Sequence, residues 1–94
     1  LQSVGMDTVQ LDVADSASIQ KGFAETMRKT AGHLDVLINN AGVGSWGSFT
    51  DLDLEEQEQV IQINVSAVMQ LTHFLVNDMV KQRSGHIINI ASVY

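Results

Sequence analysis

Two periodicities divide the chain. Thr8-Val-Gln-Leu-Asp-Val13 alternates and is rich in β-branched residues, which predicts a strand with Asp12 at its carboxyl end. Asp15 is then placed to cap a helix whose apolar stripe repeats through Ile19, Phe23 and Met27. Ala24 and Ala31 widen that stripe, and Gly32 is its expected stop. A second apolar run, 34–39, predicts a strand that halts on two amides, an alanine and a glycine: Asn39, Asn40, Ala41 and Gly42. Strand, helix and strand in that order make a right-handed parallel crossover.

Residues 43–49 are rich in glycine and serine around Trp46 and read as a loop over the carboxyl edge, where Trp46 either touches a ligand or anchors the loop. Asp53 and Glu56 have the spacing of a capping box, and Glu55 and Glu58 add negative charge where a helix dipole is positive. A helix is therefore predicted from about 54, continuing through Asn64, straight or bent, to about Arg83, with Ser84-Gly85 ending it. His86-Ile-Ile-Asn-Ile-Ala-Ser92 is a third apolar strand with a polar residue at its carboxyl end. The apolar positions at 65, 67, 68, 69, 71, 74, 75, 76, 79 and 80 form a surface wider than one sheet-facing stripe, so part of it is expected to meet another helix or subunit.

The pattern is α/β: three strands with flanking helices in a doubly wound parallel sheet. Its distinctive polar groups, Asp12, Asn39 to Gly42 and Ser92, all fall at strand carboxyl ends, the edge at which such sheets receive ligands. Asn39 and Asn40 need hydrogen-bond partners where the strand ends, and satisfying loop backbone is the expected role of Asn39. Gly42 has no Cβ, so the main chain there can approach a flat ligand.

Composition narrows the partners. An apolar content of 45% with 17% charged residues suits one globular unit or part of one, and a net charge of -6 with only five Lys plus Arg excludes a phosphate-tracking stripe for nucleic acid. No apolar stretch spans a bilayer, and no leader-like start is present, so no membrane partner is expected. The lack of Cys fits a reducing compartment, and the reading is a cytoplasmic protein. His33, His73 and His86 lack ligand spacing, so no metal site is expected.

Taken together, Asp12-Val13, Asn39-Asn-Ala-Gly42, Asn64 within Ile-Asn-Val-Ser-Ala-Val, and Gly85-His-Ile-Ile-Asn-Ile-Ala-Ser92 resemble successive blocks of the short-chain dehydrogenase/reductase family, in the right order over essentially the whole chain. The resemblance implies a Rossmann-type domain of which residues 1–94 are the central part, and an NAD(P)-dependent oxidoreductase that interconverts an alcohol and a carbonyl compound. Asp12 would accept a hydrogen bond from the adenine amino group while Val13 offers its N–H to the ring. Asn40, Ala41 and Gly42 would line the adenosine ribose, with the Asn amides tying neighbouring strands together. Ser92 would bond the substrate oxygen, and Asn64 would sit where the long helix is locally irregular and hold a water in a proton relay. These two are the implied catalytic contributors.

Two family blocks do not occur in these residues: the glycine-rich turn, expected before Leu1, and a YxxxK helix, expected beyond Tyr94. Tyr94 lies two positions after Ser92 with no Lys following, and takes no catalytic role. The functional protein is therefore expected to be longer, the segment alone inactive, and the functional form a homo-oligomer through the helix around 65–83. The residue that selects NAD or NADP would also precede Leu1. If the strand order is 3-2-1-4-5-6, the strand at 8–13 lies across two other strands from those at 34–39 and 86–92. The rival from another class is a non-catalytic dinucleotide-binding or regulatory module. A flavodoxin-like or methyltransferase domain ranks last, since it gives no reason for Asn39 to Gly42 and Asn64 together.

Overall fold

The computed structural model describes residues 6–44 and 47–90; Trp46, Ser92 and Tyr94 lie outside the described residues. The elements are α1 (Ser16–Lys29), β1 (Val36–Asn39), α2 (Leu54–Ile61), α3 (Ala67–Gln82) and β2 (His86–Asn89). A 3-10 turn, Phe49–Asp51, precedes α2, and one turn of π-helix, Gln62–Ser66, joins α2 to α3.

α1 starts as its sequence predicts: the Asp15 carboxylate accepts from the Ala17 N–H at 3.0 Å. It ends where Ala31 and Gly32 turn left-handed, at φ 55° and 80°, and the Gly32 N–H closes on the Met27 carbonyl at 2.8 Å. Ile19 is fully buried, and Phe23 stacks on Phe74 of α3 with ring centroids 5.1 Å apart. The stripe differs from expectation on one side. Ala24 and Ala31 are exposed, and Gly22 is buried instead. The reason is contact with the preceding segment: a Cβ on Gly22 would fall 2.5 Å from Leu11 Cδ1, so only glycine lets α1 lie this close to residues 8–12.

That segment corrects a second expectation. Residues 8–13 form no ladder, and the sheet has two strands rather than three. A strand exists only with a neighbour about 4.8 Å away, and β1 does not return beside 8–13, as a strand order with two others between them requires. The segment lies along α1, where Lys29 Nζ donates to the Thr8 carbonyl at 3.1 Å.

β1 and β2 are shorter than predicted and run parallel, with Val36 opposite His86, Ile38 opposite Ile88 and Asn39 opposite Asn89. A parallel pair needs a long crossover, and α2, the π turn and α3 supply it. Asp53 precedes α2 but makes no side-chain capping bond, so the capping box is absent. The Gln57 amide donates to the Leu52 carbonyl at 3.3 Å in that neighbourhood, and Glu55 and Glu56 still place charge at the positive end.

α3 packs on β1 and α1 through the buried Ala67, Leu75 and Met79. Only part of the broad apolar surface is used: Val65, Met69 and Val80 are exposed, as is Ile61 just before it. The sheet is likewise covered on one face, since Val36, Ile38 and Ile88 alternate onto an exposed one. A parallel sheet is ordinarily buried on both faces. The radius of gyration, 15.3 Å, also exceeds the roughly 12 Å of a closed domain this long.

After α3, Arg83 turns left-handed at φ 55° and the Ser84 N–H reaches the Met79 carbonyl at 3.1 Å. Gly85 then enters β2 at φ 148°, with Met79 Cγ 2.5 Å from where a Cβ would stand. Gly85→Ala forces a strained backbone and displaces buried Met79. It should lower the unfolding free energy by about 1–3 kcal/mol in urea titration; an unchanged midpoint would contradict this account of the turn.

Candidate functional site

Parallel pairing brings the carboxyl ends of β1 and β2 to one edge, and the last rung there is made by side chains as well as backbone. Asn39, 8% exposed, donates from Nδ2 to Asn89 Oδ1 at 2.8 Å, and the Ile90 N–H reaches the Asn39 carbonyl at 2.9 Å. Asn39 thus finds a partner across the sheet rather than in the loop, as strand-tying amides require. Asn89 was not singled out from sequence; the available signal was a polar residue inside an apolar strand. Beyond this rung the chain runs into Asn40, Ala41 and Gly42.

The second wall is the turn after residues 8–12. Asp12 Oδ1 accepts from the Ala14 N–H at 2.9 Å, its N–H donates to Ser18 Oγ at 2.8 Å, and its carbonyl accepts from the Asp15 N–H at 3.1 Å. Local bonding of this kind is what a short carboxylate at a turn does best. It holds the side chain in one orientation and leaves further lone pairs as acceptors. The Val13 carbonyl accepts from Gln62 Nε2 of the π turn at 3.3 Å.

Asn64 lies in the same π turn. Its Oδ1 accepts from the Val43 N–H at 3.0 Å, and its Nδ2 donates to the Val43 carbonyl at 2.6 Å. One amide side chain therefore stands in for a strand partner to the loop leaving β1. Space there is tight: a Cβ on Gly42 would sit 3.1 Å from Asn64 Oδ1. The helix is irregular where the resemblance implied, and the extra residue per turn aims Asn64 at this loop.

Between the two walls is a cavity of about 80 Å³ lined by Val13, Asn40, Ala41, Ile63, Ala67 and Leu71, among others. Three of the expected cofactor-binding residues, from segments 27 positions apart or more, therefore share one space. Asp12 faces a different one, an open groove of about 520 Å³ between residues 8–12 and α1, next to Lys21 and Lys29. Gly42 and Asn64 meet each other at the margin of the loop. Ser92 falls outside the described residues. His33 pairs with Asp35 at 2.7 Å on the surface, and among the described residues no group of side chains is arranged to hold a metal ion. No helix among them is long and apolar enough to cross a membrane.

Comparison with known proteins gives one consistent result. The family model described as short chain dehydrogenase matches residues 1–94. An oxidoreductase, UcpA, of Salmonella typhimurium is 38% identical over 85 residues, covering 90% of this chain and 32% of the relative. A sepiapterin reductase of Chlorobaculum tepidum is 37% identical over 87 residues, covering 93% and 35%. Among solved structures, a metagenomic short-chain oxidoreductase in complex with NADP superposes with a TM-score of 0.84 at 33% identity, covering 93% of this chain and 39% of that one. A short-chain dehydrogenase from Streptomyces avermitilis gives 0.82 at 32% identity, covering 89% and 30%. The chain spans about a third of the length of these curated relatives.

The Asn64 clamp makes a measurable claim of its own. Asn64→Leu keeps the branched shape but removes both bonds to Val43, so the Val43 amide should exchange with solvent about tenfold faster or more, with α1 amides unaffected. Equal exchange in the two proteins would show that the clamp holds nothing.

Proposed function

The chain belongs to the short-chain dehydrogenase family, and on that premise we propose that it is the central part of a single Rossmann-type domain, and that the protein carrying it is an NAD(P)-dependent oxidoreductase interconverting an alcohol and a carbonyl compound. The observation that carries the reading is the shared cavity: Val13 on one side and Asn40 and Ala41 on the other, above Ile63 of the π turn.

With Asp12 in the adjoining groove and Gly42 at the loop margin, the residues around this cavity fit a dinucleotide on chemical grounds. A carboxylate held by its own turn, a backbone N–H at Val13 and a loop thinned by Gly42 offer an acceptor, a donor and a close main-chain approach. Asp12 and Val13 would read the adenine, and Asn40, Ala41 and Gly42 would hold the adenosine ribose. The NADP carried by the metagenomic neighbour supports the same class of cofactor here. When bound, the nicotinamide supplies or accepts the hydride; the protein's part is position and proton management.

Ser92 is assigned from the family resemblance, three positions after Asn89 in the sequence. It would donate to the substrate oxygen and stabilise the charge that develops on it. Asn64 retains one N–H and acceptor capacity beyond its bonds to Val43, enough to hold a water for proton transfer. A small alcohol or carbonyl substrate, a cytoplasmic location and no nucleic-acid or membrane partner complete the proposal. The exposed Ile61, Val65, Met69 and Val80 are its basis for a homo-oligomer through the long helix.

Ser92→Ala in the intact protein should cut turnover by about 10²–10³-fold and leave dinucleotide affinity unchanged; turnover equal to the parent would reject the assignment. Met69→Lys, a charge placed on the exposed stripe, should shift the sedimenting species toward monomer. A parent protein that already sediments as a monomer would remove the oligomer from the proposal.

A further inference from the structure

One residue of the π turn, marked by no motif, joins the two walls of the cavity. Successive side chains in this turn diverge by roughly 80–90°, so residues 62 and 64 leave opposite flanks and residue 63 points between them. The contacts follow that geometry. Gln62 Nε2 reaches the Val13 carbonyl at 3.3 Å, Asn64 grips Val43 on the other side, and Ile63 lines the cavity in the middle.

The peptide that Gln62 holds is not an arbitrary one. The Val13 carbonyl belongs to the Val13–Ala14 peptide, and the N–H of that same unit donates to Asp12 Oδ1 at 2.9 Å. A peptide unit is planar, so fixing its oxygen fixes the direction of its N–H. The bond from Gln62 is therefore transmitted through one rigid plane to the carboxylate of Asp12. Gln62 itself is half-buried, and both ends of the link come from elements 49 positions apart.

We infer that Gln62 is a positioning residue for the adenosine end of the dinucleotide: through the Val13–Ala14 peptide it sets the orientation of the Asp12 carboxylate and holds that turn at a fixed distance from the loop clamped by Asn64. The inference rests on the dinucleotide reading above. It assigns the two polar residues of the π turn to separate jobs, Gln62 to the adenine wall and Asn64 to the loop after β1.

The test uses the intact protein and two probes: ADP, which contains the adenosine end, and reduced nicotinamide mononucleotide, which lacks it. Gln62→Met preserves length and volume without the donor, and should weaken ADP binding about fivefold to tenfold by calorimetry, the cost of one net hydrogen bond. The KM for the mononucleotide and kcat at saturating dinucleotide should stay within about twofold, a split that general loss of structure would not give. Gln62→Lys restores a donor of similar reach and should recover most of the ADP affinity. If Gln62→Met does not fold, Gln62→Glu, which keeps shape and polarity but offers no N–H, carries the same expectation. ADP affinity equal to the parent's in a folded donor-less variant overturns the positioning role, as does an equal loss with both probes. A parent protein that binds neither ADP nor dinucleotide overturns the dinucleotide reading itself and this inference with it.

Discussion

A single turn of helix with one residue too many organises this molecule's candidate site. A π turn breaks the regular ladder, and such turns recur at functional sites because they redirect side chains at a cost in backbone bonding. Here the return on that cost is visible in the contacts. Asn64 satisfies both backbone groups of Val43, Gln62 holds the Val13 carbonyl, and Ile63 closes the floor between them. An uninterrupted α-helix through 62–66 would change the direction of every later side chain on α3, whose Leu75 and Met79 are buried. The irregularity and the packing of the crossover helix are thus one constraint.

The other constraint is that the sheet is open. Two parallel strands, joined at their last rung by Asn39 and Asn89, present an apolar face formed by Val36, Ile38 and Ile88. Residues 8–13 run beside α1 without joining the ladder. Burial of apolar area is the main favourable term in folding, so a layer over that face and strands beside β1 are what this arrangement calls for. The resemblance to proteins about three times this length is consistent with that need.

Much of this was legible beforehand, and the reasons are specific. Short apolar runs, one halting on amides and one running toward a polar end, located β1 and β2; the Asp15 cap and the left-handed Gly32 bounded α1 to within a residue or two. Local rules decide such features. What depended on distant partners was not legible. The alternation of 8–13 is a good strand pattern, yet a ladder needs a neighbour that local sequence does not supply. Asp53 and Glu56 have capping spacing, yet spacing does not set side-chain torsions, and Asp53 makes no such bond. Gly22 looks like a helix-weakening residue until Leu11 is placed against it. In the site, the strand pattern marked Asp12, Asn40, Ala41 and Gly42 as groups at a carboxyl edge, while their roles, and Val13 and Asn64 altogether, came from the family resemblance. Gln62 carried no motif at all and emerges only from tertiary contacts, and Asn89, though inside a family block, shows its role only through its bond to Asn39.

The central claim is that one edge, floored by the π turn, receives a dinucleotide. Amide hydrogen exchange of the intact protein with and without NAD and NADP tests it most directly. The account expects added protection at residues 12–14 and 40–43 together, with residues at the amino-terminal ends of β1 and β2 unchanged. Protection confined to those opposite ends, or none at saturating dinucleotide, would contradict it.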